Sequence, residues 1–286
     1  MQAEIISLLA AIGWGANAIL VRKGSRTGDI FGAAFMSFVV TAIFLWFPIV
    51  LSQSLHLIRS RASIYFILSG LMQQLLARIF SYIGIVRMGV SRSSPLRNTD
   101  PVYSVIIATV FLQERPGSLV YLGTFFIMAG AWLVVSGRKE EGGFRLLNAL
   151  FPLGAGFFGA VSQNLRKFGL LILPDPFIAA AVTTTTSLVI LSTYLLISGK
   201  TGSCRPDRAS LPFFGAAAFV SMGAQFCNFL SLKLGDVSIV VPLMGTSPLF
   251  AIFFSALFLR QLETVTPRVV MGALLIVAGV ISITGR

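Results

Sequence analysis

In the stretch LMQQLLARIFSYIG, three side chains stand at a spacing that could hold an anion. Gln74, Arg78 and Tyr82 lie at i, i+4 and i+8, which puts them on one face of an α-helix. An arginine offers a planar fork of N–H donors that matches a carboxylate, phosphate or sulfonate. Inside an apolar run it is costly, and a functional role is the default reading. A second group sits in SSPLRNTDPVYS, where Arg97 and Asp100 lie between Pro95 and Pro101. Asp100 is the one acid expected well inside an apolar segment. It has three possible uses: to neutralise Arg97 at i−3, to neutralise Arg78 across a cavity, or to serve as a protonation site. The ion pair is preferred, and since two arginines compete for one carboxylate it leaves surplus positive charge. The remaining candidates are Trp14 and Asn17, Gln163 and Asn164, and Gln225 and Asn228, the last two in a stripe with Ser221. All eleven of these residues are read as candidate substrate ligands.

Competing readings exist for each. Amides and hydroxyls in apolar helices also hydrogen-bond neighbouring helices. Arg87 and Arg92, and on the same logic Arg97, read as long side chains snorkelling at helix ends, and Trp14 as an interfacial anchor. The run Thr183–Thr186 is expected to bond back onto its own helix. Glu4, Glu114 and Glu263 read as helix-end residues.

Catalytic patterns are missing from the sequence: there is no HExxH, no pair of carboxylates within one span, no Ser/His pair and no GxxxxGK[ST] loop. No enzyme activity and no cofactor is expected. Cys204 and Cys227 form neither a metal pattern nor a disulfide framework.

The elements that must position these side chains follow from composition. The chain has 286 residues, 56% hydrophobic and 11% charged, against roughly 25% charged in soluble domains. Apolar stretches of about 20 residues, the length that crosses a bilayer, follow one another with short connections. Ten spans are read at about 3–21, 31–51, 63–86, 93–112, 118–136, 148–167, 176–197, 210–232, 237–259 and 267–285. The start carries Glu4 in place of a basic region and reads as a span, not a cleaved signal. The net charge of +12 is assigned to topology and anionic lipid. No basic run alternates with aromatics, so no nucleic-acid partner is expected.

The chain also repeats itself. Shifted by 147 residues, Pro95, Leu96, Thr99 and Pro101 match Pro242, Leu243, Thr246 and Pro248, and Arg78 falls on Gln225. After a two-residue slip, Glu114, Gly123 and Gly130 match Glu263, Gly272 and Gly279, while Arg22-Lys23 echo Arg166-Lys167. Two halves are expected, 1–137 and 148–286, joined by 138–147. Five spans is an odd number, so the halves would insert with opposite orientation, as in many secondary transporters. The paired prolines are expected to kink or break spans four and nine. A monomer suffices, because the halves supply the pseudo-symmetric pair.

Three stretches carry a resemblance to a known family: GWGANAILVRKG (Gly13 to Gly24), the sequence VFLQERPGSLVYLGTFFIMAGAWLVV, and its counterpart LFLRQLETVTPRVVMGALLIVAGVISI. With the two proline-bearing spans, they make the chain resemble the EamA-type ten-helix proteins of the drug/metabolite transporter superfamily. The departures are Arg260 to Glu263, where that family has Gly-Glu, and Arg97 with Asp100. The resemblance implies an all-α membrane protein of ten transmembrane helices, built as two inverted five-helix repeats around a central cavity. Spans one, three, four, six, eight and nine would line it. It also implies a multi-pass inner-membrane protein with cytoplasmic termini. The charge distribution points the other way, with seven Lys and Arg on the termini side and thirteen opposite. The function expected is alternating-access transport of a small polar, carboxylate-bearing or anionic metabolite. Export of amino acids or hydrophobic cations is the alternative, and a flippase or enzyme for a lipid-linked substrate is the rival from another class.

Overall fold

The computed structural model describes residues 1–25, 28–88, 93, 96–135, 146–199, 202, 207–258 and 267–285. Among these the secondary structure is entirely helical. In chain order the α-helices are α1 (Gln2–Gly24), α2 (Ile30–Leu51), α3 (Ala62–Leu71), α4 (Arg78–Met88), α5 (Asp100–Phe111), α6 (Ser118–Val135), α7 (Leu146–Ile172), α8 (Pro176–Ile197), α9 (Leu211–Leu234), α10 (Val237–Met244), α11 (Ser247–Phe258) and α12 (Pro267–Thr284). A π-helical turn, Met72–Ala77, joins α3 to α4.

Among the described residues, six helical segments are long and apolar enough to cross a membrane: Gln2–Gly24, Phe31–Leu51, Ala62–Arg87, Pro176–Ile197, Leu211–Leu234 and Val237–Ser255. Shorter apolar helices occupy Asp100–Phe111, Ser118–Leu133 and Val270–Thr284. The protein is a multi-pass membrane protein. Its outer surface is apolar, with Ile43, Phe47, Phe219 and Leu274 largely exposed. Such a surface is stable against lipid, where helices satisfy their own backbone hydrogen bonds.

Helix starts follow from local chemistry. The Asp29 carboxylate accepts from the Phe31 N–H at 3.0 Å. That of Asp175 accepts from the Phe177 and Ile178 N–H groups at 2.9 and 3.2 Å, with Pro176 in the first turn. Asp side chains satisfy donors that a helix N-terminus otherwise leaves open.

Prolines mark starts as often as kinks. Pro101 lies in the first turn of α5 and Pro248 is the second residue of α11, positions where the missing N–H costs no helical bond. Pro242 lies inside α10, which ends at Met244. Span nine is therefore broken at Gly245–Thr246, between its two prolines. Pro95 lies outside the described residues. Thr246 donates its hydroxyl to the Leu243 carbonyl at 2.7 Å, and Thr99 does the same to Leu96 at 2.7 Å.

Helices α6 and α12 pack in close contact through glycines. A Cβ at Gly123 would stand 2.6 Å from the Gly279 carbonyl oxygen, and one at Gly130 would stand 2.5 Å from that of Gly272. Only a residue without a side chain allows backbones this near.

The sequence reading ends span six at about residue 167, but α7 runs on to Ile172. Arg166 and Lys167, counted as loop-end charges, are in fact buried inside the bundle. The following FGLLI continues the apolar pattern, so nothing stops the helix at the charges. The segment 138–147 expected to join the halves lies almost wholly outside the described residues.

Candidate functional site

A cavity of about 520 Å³ lies between the helices. Its wall includes the C-terminal half of α1 (Trp14, Asn17, Val21) and residues from the first half of α2 (Ala33, Ser37, Thr41). The other end of the bundle is filled by an apolar cluster that includes Ala3, Leu45, Ile49, Phe66, Leu170, Leu232 and Val237. The cavity therefore occupies the half remote from the chain's first residues, with a dry plug beneath it.

Of the residues singled out by sequence, Trp14, Asn17, Gln74, Arg78, Arg97, Asp100, Gln163, Gln225 and Asn228 line this cavity. Two do not. Tyr82 is 41% exposed on the outer surface. Gln74 lies in the π-helical turn Met72–Ala77 and Tyr82 in α4, so the regular α-helical spacing that would put them on one face does not hold between them. Asn164 is buried beside the cavity, where its amide donates to the carbonyls of Ala160 at 2.9 Å and Ser104 at 3.3 Å. It does what amides in spans commonly do and ties helices together.

The wall has a braced part and an unbraced part. In the braced part, Ser221 donates to Asn17 Oδ1 at 2.8 Å, joining α9 to α1. Arg78, Arg97, Gln74 and Gln225, by contrast, make no hydrogen bond or ion pair with any described residue. Asp100 has no arginine within 4 Å. Its nearest influence is Arg97, which in turn lies within electrostatic reach of Arg78. The expected Arg97–Asp100 contact is therefore loose, and Arg78 faces the cavity with its donors unused.

Glycines make this approach possible. A Cβ at Gly156 would stand 2.8 Å from the Arg97 carbonyl oxygen, and one at Gly159 would stand 3.8 Å from Asp100 Cβ. On α7, Gly156, Gly159, Gln163 and Arg166 all line the cavity at steps of three or four residues, the spacing of one helix face.

The sequence profile of the EamA-like transporter family matches residues 1–136 and 146–285. The chain belongs to that family. An uncharacterized transporter of Archaeoglobus fulgidus is 24% identical over 283 residues, covering 97% of this chain and 96% of that protein. A crystal structure of a protein only 13% identical superposes with a TM-score of 0.82, over 98% of this chain and 95% of that one. This EamA-like chain therefore shares its whole fold with that protein.

The cavity of this EamA-like protein holds features the sequence reading missed. Arg166 is 4% exposed and lines the cavity wall. Its Nε donates to Ser69 Oγ at 3.0 Å and its Nη1 to Gln163 Oε1 at 3.2 Å. Ser69 is itself paired with Ser162 at 3.0 Å. The guanidinium lies 4.9 Å over the Phe229 ring, a cation–π distance. The i, i+3 spacing of Gln163 and Arg166 within a glycine-marked stripe was the available signal. Span two lines the cavity as well, and so do Thr184 and Ser187 of α8. Only part of the threonine run bonds back as expected. Thr186 donates to Val182 at 2.9 Å, but Thr183 donates to the Phe66 carbonyl and Thr185 accepts from Trp46.

Lys167 points away from the cavity. Its Nζ donates to the carbonyls of Leu232 at 2.9 Å and Gly235 at 2.8 Å, at the end of α9. Glu114 meets the same turn from the other side. Its carboxylate accepts from the Val237 N–H at 2.8 Å and the Ser238 N–H at 2.9 Å, capping α10. Lys167 lies within electrostatic reach of both Asp236 and Glu114.

Proposed function

We propose that this chain is a secondary transporter of a small polar metabolite that is anionic or carries a carboxylate. One observation carries the reading: the polar cavity presents Arg78, Arg97 and Arg166 against the single carboxylate of Asp100. A low-dielectric site with surplus arginine attracts a ligand carboxylate or another oxyanion, which the fork binds through two parallel hydrogen bonds. The size suits a small metabolite.

The mechanism proposed is alternating access between two inverted five-helix halves, ten spans in all, in a cell inner membrane. Several features support the two halves. Thr99 and Thr246, matched by sequence, make the same hydrogen bond, and Pro101 and Pro248 both stand in the first turn of a helix. The glycine pairs Gly123–Gly279 and Gly130–Gly272 cross as a two-fold arrangement requires. A cavity at one end and an apolar plug at the other are what a transporter caught in one of its two states would have. Cytoplasmic termini remain the orientation implied by family resemblance. The burial of Arg166 and Lys167 removes two charges from the termini-side count, so it does not reconcile that orientation with the charges.

The amino-acid reading draws on Asp100. With no arginine within 4 Å, its carboxylate is free to receive an ammonium group while an arginine takes the carboxylate.

Arg78→Gln tests the proposal in proteoliposomes. Uptake of a transported carboxylate is expected to fall at least about thirtyfold, as when one member of a desolvated charge pair is lost. The unfolding midpoint should stay that of the wild type. Undiminished uptake would remove Arg78 from the site.

A further inference from the structure

The cavity contains a cation that the sequence reading did not select, and its surroundings are more specific than those of Arg78. Arg166 is buried to 4% exposure with no acid within 4 Å. A charge so placed is costly unless something neutralises it. Its neighbour Lys167 has two acids within electrostatic reach; Arg166 has none among the described residues.

The guanidinium is fixed but not used up. It carries five N–H donors; one is given to Ser69 and one to Gln163, so three remain. Phe229 covers one face of the plane. The whole group is anchored: Ser69 is held by Ser162, whose hydroxyl also lies 2.9 Å from the Ser69 carbonyl oxygen.

From this geometry we infer that Arg166, covered on one face by Phe229, is the anchor for a carboxylate group of the transported ligand. The inference rests on the transport reading above and specifies which arginine takes the carboxylate. The single fixed charge and three spare donors match a monoanion bound by two parallel N–H···O bonds. A phosphate dianion brings twice the charge and would call for further donors. Arg78, with no bracing partner and only half-buried, can draw anions in; Arg166 holds one in a set orientation. A braced arginine loses little side-chain freedom when its ligand arrives.

The test uses the full-length protein, purified in detergent, and its thermal unfolding midpoint. Lactate, alanine and glutamate are each compared with their primary amides, and inorganic phosphate is included. A ligand that binds the folded state raises the midpoint. At least one carboxylate is expected to raise it while its amide does not, and Arg166→Gln should need at least about tenfold more ligand for the same shift. If Arg166→Gln fails to fold, Arg166→Lys replaces it: the charge is kept, the fork is lost, and weaker binding is again expected.

A wild-type response in either Arg166 variant, with the response lost in Arg78→Gln, overturns the inference and leaves the transport reading standing. Stabilisation by inorganic phosphate in preference to every carboxylate overturns the carboxylate assignment. Stabilisation by none of the probes overturns both readings.

Discussion

Arg166 and Lys167 are consecutive buried cations on one helix, and they face opposite environments. Arg166 turns into the cavity, braced by Ser69 and Gln163, with no carboxylate beside it. Lys167 turns to the bundle's closed end, where it holds the last carbonyls of α9 with Glu114 and Asp236 close by. A step of 100° along a helix separates a charge with no acid beside it from a charge used up in structure. The lesson concerns burial: a buried cation is evidence of function only when its counter-charge is missing. By that rule the cavity is the candidate site and the turn at Gly235 is a joint.

The comparison can be broken from either side. The largest effect on stability is expected from Lys167→Met, which removes both carbonyl bonds and leaves two acids without their nearby cation. Hydrogen bonds to charged groups contribute about 1.5–3 kcal/mol each, so a loss of about 3 kcal/mol should show in thermal unfolding. Ligand affinity, corrected for the folded fraction, should be unaltered. If Lys167→Met instead unfolds as the wild type does, the joint is not structural.

Glu114→Gln should have a smaller effect. One acceptor remains for Val237 or Ser238, and the charge at the start of α10 is lost, so about 1 kcal/mol is expected. A loss confined to low salt would point to the charge rather than to the hydrogen bond.

Tyr82→Phe should do least. The side chain faces outward, so transport is expected to stay within about twofold of the wild type. A large drop in uptake would put Tyr82 back at the ligand and undo the placement of the cavity face.

The architecture was legible to the extent that it depends on composition and period. Apolar runs of span length and the matched Pro-Leu-Thr-Pro segments pointed to a helical membrane protein of this family. Arg78 was legible because one arginine in an apolar run has few explanations. Arg166 was not. Beside Lys167 it read as a helix end, since two adjacent cations ordinarily mark the membrane boundary. Which of them faces a cavity depends on neighbours distant in sequence: Ser69 and Phe229 for one, Glu114 and Gly235 for the other. Tyr82 was misplaced because the π-helical turn Met72–Ala77 breaks the α-helical spacing that linked it to Gln74. Asn164 could not be told from its neighbour Gln163, since which of two adjacent amides meets the cavity depends on where α5 packs. Thr184 and span two were missed because short hydroxyls in apolar helices give no sign of direction.

The glycine contacts between α6 and α12 set a rule for motion. The windows at Gly123 and Gly130 are met by the Gly279 and Gly272 carbonyls, with Ile283 and Ile276 standing close beside them. A slide of one turn, about 5.4 Å, would drive side chains onto backbone where only hydrogen now fits. A small swivel about the contact would not. The pair therefore works as a bearing: it lets the two helices turn against each other and forbids them to slip.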